Sequence, residues 1–220
     1  MRYNLKRILK KLNVRDFKDR YLKVENDVTS LFNKDNTALI EIRTNTRTLN
    51  KKNECYYPFK EAKLLSQVEG EEFVINDNKE LTTLNTPLKL ENSDMKIDKA
   101  VLKHGDFYIK FLNEDIKQFY DLIEDYRLVK ISFNNYTLKI EGYKKEEEPK
   151  LLLEKHKSCE VDREYYAIIS TSILKQFKKI LVDESCLKFY LYHQRDECFK
   201  IESCNSELNI FIAPVRKAGE

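Results

Sequence analysis

Two stretches of the chain, "DIKQFYDLIEDYRLVKISFNNYTLKIEG" (115–142) and "ILKQFKKILVDESCLKFYLYHQRDECFKIES" (173–203), share one layout. Each reads as a helix carrying K-Q-F, a short connection, a strand, a turn, and a strand ending in K-I-E. A unit of this size cannot bury its own apolar face, so neighbouring copies must pack on each other. Two looser copies begin at Leu5 and Phe59. The layout therefore gives four helix-plus-strands units, two on each side of the polar, aperiodic stretch Glu91–Asp98.

The remaining segments fit that frame. Leu5, Ile8, Leu9 and Leu12 recur at helical spacing. "RYLKVEN", "VTSLFNKD" and "TALIEIRT" read as strands, with "NKDN" as a turn. "YPFKEAKLLSQVEG" opens with Pro58 and closes at Gly70, the usual punctuation of a helix. "EEFVINDNKELTTL" reads as a hairpin. In the second half, Ile116, Phe119, Tyr120 and Ile123 form one helix face, with Asn113 as its expected cap. "KLLLEKHKSCEV", "REYYAIIS" and "ELNIFIAPV" read as strands. "STSILKQFKKIL", which begins at Ser170, reads as a capped helix. The expected fold is α+β, in two domains that each place two helices on antiparallel sheet. The expected boundaries are 1–90, a connector at 91–99, and 100–220.

Charge and composition narrow the function. The chain has 220 residues and a net charge of +3, with 40 basic against 37 acidic side chains, so any contact with a polyanion must come from local clustering. Such clusters lie on the helices. Lys6, Arg7, Lys10 and Lys11 alternate with the apolar stripe of the first helix. Lys175, Lys178 and Lys179 do the same on the fourth. Lys60 and Lys63 belong to the second helix. Lys117 belongs to the third, where it sits among Asp121, Glu124 and Asp125. Bases three and four residues apart share a helix face, the arrangement for diffuse contact with phosphates. An exposed, solvated helix face is the plainer alternative.

Enzymatic chemistry finds little support. There are four glycines, too few for a Gly-rich phosphate cradle. His104, His156 and His193 have no metal-ligand spacing. Cys159 near His156 is the weak exception. The five cysteines (55, 159, 186, 198 and 204) contain no CxxC and are odd in number, which is read as reduced thiols in a reducing, intracellular compartment such as cytoplasm, nucleus or a viral replication site. No apolar run approaches the roughly 20 residues that span a bilayer. The basic start "MRYNLKRILKKLNVR" leaves a transit peptide or a membrane-surface helix open as an alternative. The aromatic stretches "FYIKF" and "FYLYH" alternate as strands do. Their rings are read as packing, with a stacking platform for single strands as the alternative.

The four-unit layout, the linker near Glu91–Asp98 and the ending "LNIFIAPV" (208–215) together resemble the DNA sliding clamps, the family of proliferating cell nuclear antigen and the T-even phage clamps. The resemblance implies a non-enzymatic processivity factor for DNA replication with no cofactor. Its basic helices would line a ring round duplex DNA without sequence preference. It also implies closure by six domains, hence a homotrimer, an ATP-dependent clamp loader, and a tethered DNA polymerase. Partner proteins would dock between connector and C-terminus, near Leu90, Met95, Ile97, Ile212, Ala213, Pro214 and Val215. A clamp-like subunit that does not close a ring and serves nucleic-acid binding, transcription or checkpoint signalling would share this outline.

Overall fold

In the second half of the chain the repeat becomes a physical object. Strand β8 (Phe107–Leu112) runs directly into helix α3 (Asn113–Leu122), followed by β9 (Leu128–Asn134), β10 (Thr137–Tyr143) and β11 (Lys150–His156). The order then recurs: β12 (Tyr165–Ser170), α4 (Thr171–Leu181), β13 (Cys186–Leu191), β14 (Phe199–Ser203) and β15 (Leu208–Ile212). The K-Q-F positions explain the match. Phe119 and Phe177 are both buried, as are Ile116 and Leu174, while Lys117 and Lys175 point to solvent. Truncating either phenylalanine would cost about 3–5 kcal/mol in transfer and cavity terms.

This computed structural model describes residues 5–25, 27–43, 47–48, 54–68, 73–83, 89–91, 103–144, 148–193 and 197–215. All but Glu91 of the expected connector lies outside them. The chain forms two compact units: residues 1–100 with 205–210, and 101–204 with 211–220.

The first unit contains α1 (Leu5–Lys11), β1 (Tyr21–Glu25), β2 (Val28–Phe32), β3 (Ala38–Arg43), β4 (Arg47–Thr48), β5 (Cys55–Pro58), α2 (Phe59–Leu65), β6 (Phe73–Ile75) and β7 (Leu81–Thr83). β5, β1, β2 and β3 are neighbours in antiparallel order. Phe17 and Phe59, both at 0% exposure, pack with ring centroids 5.2 Å apart at the base of α2. β5 enters α2 through Pro58, whose φ of −56° suits that junction.

In the second unit β11, β10, β9 and β12 form one antiparallel sheet, and β8, β13 and β14 are antiparallel neighbours in order. The β9–β10 hairpin turns on Asn135 and Tyr136, both with positive φ (41° and 64°), as a two-residue turn matched to strand twist requires. Gly105 is obligatory for a different reason: a Cβ there would meet the Leu191 carbonyl oxygen at 1.9 Å. No helix among the described residues is long and apolar enough to cross a membrane.

Two sequence expectations change. Asn113 is the first residue of α3, not its cap. Its side-chain amide donates to the carbonyls of Val182 and Glu184, 3.0 Å each, beyond the C-terminus of α4. The N-terminus of α3 is held by Asp115, whose Oδ2 accepts from the Leu112 N–H at 3.3 Å. Cys186 and Cys204, expected as free thiols, are joined. The β13–β14 register pairs Leu187 with Ser203, so the two cysteines fall opposite one another at a Cα separation of 5.5 Å, within disulfide reach. Cys55 and Cys198 are free and buried, and Cys159 is free and exposed.

Candidate nucleic-acid interface

Each unit packs its two helices together, and the lysines on them divide into two kinds. In the first unit Lys63 of α2 turns inward. Its ammonium donates to the carbonyls of Leu9 (2.7 Å), Lys10 (3.2 Å) and Leu12 at the end of α1. The last carbonyls of a helix have no intrahelical donor and carry its negative dipole end, so a cation there satisfies both needs. Lys6 is 8% exposed, and its ammonium donates to the Val68 carbonyl beyond α2. This corrects the sequence placement of Lys6 on the outer face of α1. The helical period separated it from the stripe, but the segment that follows α2 meets that side as well. Arg7, Lys10 and Lys60 are exposed and Lys11 is half-buried.

The second unit keeps its helix cations at the surface. Tyr120 of α3, 1% exposed, donates its hydroxyl to the Leu174 carbonyl of α4 at 3.0 Å, which locks the pair. Burial raises the pKa of that phenol far above its ordinary value, so it stays a donor at any physiological pH. Across this seam, exposed Lys175 donates to the Glu124 carbonyl at 2.6 Å. Lys178 lies 3.9 Å from Asp121 and 5.8 Å from the Tyr120 ring centroid. That ion pair is open to water and holds the two groups weakly. Lys179 and Lys117 are exposed and have no ion pair among the described residues. Beside them stand Glu114 and Asp121 of α3 and, just past its end, Glu124 and Asp125, all exposed. The α3–α4 surface is thus basic on one helix and acidic on the other.

The expected partner-docking residues fare unevenly. Leu90 is buried at 6% exposure, and its backbone exchanges two 2.8 Å hydrogen bonds with Leu81. Met95 and Ile97 lie outside the described residues. Ile212 is fully buried, Ala213 is exposed, and Pro214 and Val215 are half-buried.

One feature carried no signal in the sequence. Asp115 of α3 pairs with Lys155 of β11 at 2.8 Å. That hydrogen bond, with the Leu112 N–H and the Lys155 and Lys157 charges, holds the Asp115 carboxyl below its ordinary pKa despite partial burial.

An antiparallel α+β architecture that repeats strand–helix–strands, with the helices in pairs, is the architecture of the DNA sliding clamps, and the chain has the sliding-clamp fold. The DNA polymerase III β subunit of Pseudomonas aeruginosa aligns over 96% of this chain and 65% of its own length, with a TM-score of 0.66 and 15% identity. The Helicobacter pylori β clamp in complex with diflunisal aligns over 98% of this chain and 65% of its own, with a TM-score of 0.69 and 10% identity. A PCNA2–PCNA3 complex from Sulfolobus tokodaii aligns over 95% of this chain and 94% of its own, with a TM-score of 0.64 and 11% identity. The chain therefore spans about two thirds of the bacterial clamps and nearly all of the archaeal one. No family model matches the sequence, and no curated protein matches it.

Proposed function

We propose that the chain is a processivity factor, a sliding clamp whose copies close round duplex DNA and tether a DNA polymerase and other replication proteins. The observation that carries this reading is the placement of cations on a clamp fold: exposed Arg7, Lys10 and Lys60 on the helices of one unit, and exposed Lys117, Lys175 and Lys179 with half-buried Lys178 on those of the other. Contacts of this kind reach phosphates and not base edges, so they hold DNA without stopping its motion along the axis. The role needs no catalytic residue and no cofactor. A ring of six such units takes three copies and an ATP-dependent loader to place it on DNA. Ala213, Pro214 and Val215 are the accessible residues for docking partner peptides.

Ring closure also requires a surface between copies, and β11 supports one. It is the outer strand of its four-stranded sheet, and it exposes Leu151 at 51%. An uncovered sheet edge with an apolar side chain is a template for pairing with another chain. A second copy of this chain is its proposed occupant.

A second reading rests on α3. Its exposed acids lie beside the lysines of α4 and weaken their pull on phosphate. A clamp-like subunit that binds nucleic acid without ring closure, or serves transcription or checkpoint signalling, would tolerate this.

Sedimentation at rising concentration and salt-dependent duplex binding separate the two. The clamp reading expects a trimer. It also expects that Lys175→Ala/Lys178→Ala/Lys179→Ala flattens the slope of log K against log salt by roughly 0.9 for each phosphate that is no longer neutralised. A strict monomer whose slope the triple variant leaves unchanged would remove the clamp reading.

A further inference from the structure

The face of β8, β13 and β14 that turns away from α3 and α4 carries a cluster of rings and lysines that duplex encirclement does not use. Along β8, Ile109 and Phe111 are buried while Tyr108 and Lys110 are exposed. The β8–β13 register sets Tyr108 opposite Tyr190 and Lys110 opposite Lys188. The β13–β14 register then adds Lys200 opposite Tyr190 and Glu202 opposite Lys188. The rings touch in series: Tyr108 to Tyr190 at 5.3 Å, Tyr190 to His104 at 5.3 Å, and His104 to Phe211 at 6.0 Å between centroids.

The charges on this face are only partly satisfied. Glu202, 7% exposed, accepts from Lys188 (2.9 Å), Lys200 (2.6 Å) and the Tyr190 hydroxyl (3.3 Å). One carboxylate thus serves two ammonium groups. Lys110 has no ion pair among the described residues and stands directly across from Lys188. Like charges set opposite each other on a sheet are unfavourable, and an incoming anion relieves them. Asp106, exposed just before β8, is the nearest acid in sequence to this row. Lys188 lies 5.5 Å from the Tyr108 centroid, and Lys200 lies 4.7 Å from that of Tyr190 and 5.7 Å from that of Phe211. Both ammonium groups thus sit between the Glu202 carboxylate and a ring face.

We propose that this outer sheet face binds single-stranded nucleic acid, with bases stacking on Tyr108, Tyr190 and Phe211 and phosphates held by Lys110, Lys188 and Lys200. Rings on adjacent strands of an open sheet face, interleaved with cations, supply the two interactions that single strands use and that duplexes, with their bases already stacked, cannot. An acidic protein segment could use the lysines but gains nothing comparable from the ring series.

The test is anisotropy of a fluorescein-labelled oligothymidylate with the full chain. Because the protein has no tryptophan, quenching of its tyrosine emission reports stacking directly. Tyr108→Ala removes an exposed ring and should weaken the single strand by roughly 5- to 150-fold, the effect of removing one base–aromatic stack, and reduce the quenching. Lys110→Ala, which leaves every ring in place, should weaken it and flatten its salt slope by about 0.7, the single-strand value for one neutralised phosphate. Neither should alter duplex binding, and Lys179→Ala on α4 should not alter single-strand binding. The proposal is overturned if the oligothymidylate does not bind, if Tyr108→Ala binds it as wild type does, or if poly-glutamate competes for the face and quenching is absent. Because Tyr108→Ala and Lys110→Ala touch no helix lysine, their readouts stand or fall apart from the clamp reading.

Discussion

Lys63 is the sharpest test of the reasoning, because sequence and structure give it opposite jobs. On sequence it is one more helix cation facing DNA. In the structure its ammonium is spent on the carbonyls of Leu9, Lys10 and Leu12. Replacing it with methionine keeps most of the aliphatic stem and removes only the charge and the donors. Hydrogen bonds from a charged group contribute about 1.5–3 kcal/mol when buried, and a cation at a helix C-terminus about 0.3–1 kcal/mol when exposed. Lys63 is half-buried, so about 1–2 kcal/mol is expected. For a unit of roughly 100 residues each kcal/mol moves the midpoint by about 4–8 °C. Lys63→Met should therefore lower the melting temperature of the first unit by roughly 4–15 °C. Lys60→Met, one turn earlier and exposed, should leave it within a degree or so. Scanning calorimetry on the two variants and wild type reads this directly. Equal melting temperatures for the two variants would refute the inward role of Lys63. A drop in duplex affinity in Lys63→Met at unchanged stability would return it to the DNA face.

The remaining predictions concern the second unit and the thiols. Asp115 titrates below its ordinary range because Lys155 hydrogen-bonds it. Its contribution is therefore complete above the unfolded carboxylate pKa and lost as pH falls through the lower folded value. Asp115→Asn should flatten the acid limb of the melting-temperature profile, and parallel limbs for variant and wild type would count against the pair. If the proposed ring closes through β11, the outer strand of its sheet among the described residues, Leu151→Glu should shift sedimentation from the proposed trimer to monomer with the fold kept by circular dichroism; an unchanged assembly would move the interface elsewhere. Denatured without reductant, the chain should expose three free thiols to Ellman's reagent, and five after reduction, since Cys186 and Cys204 are joined. Five before reduction would break that pairing.

Much of the architecture was written in local pattern. The period of Ile116, Phe119, Tyr120 and Ile123, and its echo at Ile173, Phe177, Ile180 and Leu181, marked two helices, because a helix faces its core once every 3.6 residues whatever lies beyond it; the structure buries Leu174 fully and leaves Ile173 half-buried. The K-Q-F and K-I-E repeat settled the order of elements, and with it the resemblance to the clamps. The exposed cations Lys175 and Lys179 were legible for the same reason: they lie off the stripe. What the pattern could not reveal was which polar residues a second element would claim. Lys6 and Lys10 look alike on their helix, yet Lys6 is buried and Lys10 exposed, because Lys6 meets the Val68 carbonyl beyond α2. Asn113 looked like the cap of its own helix and instead reaches the end of α4, almost seventy residues away. Cys186 meets Cys204 only because the β13–β14 register brings them opposite, and the ring series of Tyr108, Tyr190, His104 and Phe211 exists only once three separate segments are placed side by side. Burial of an apolar side chain is non-directional and is announced by its period. A hydrogen bond, a disulfide or a stacked ring needs a particular partner at a particular distance, and tertiary packing alone supplies one.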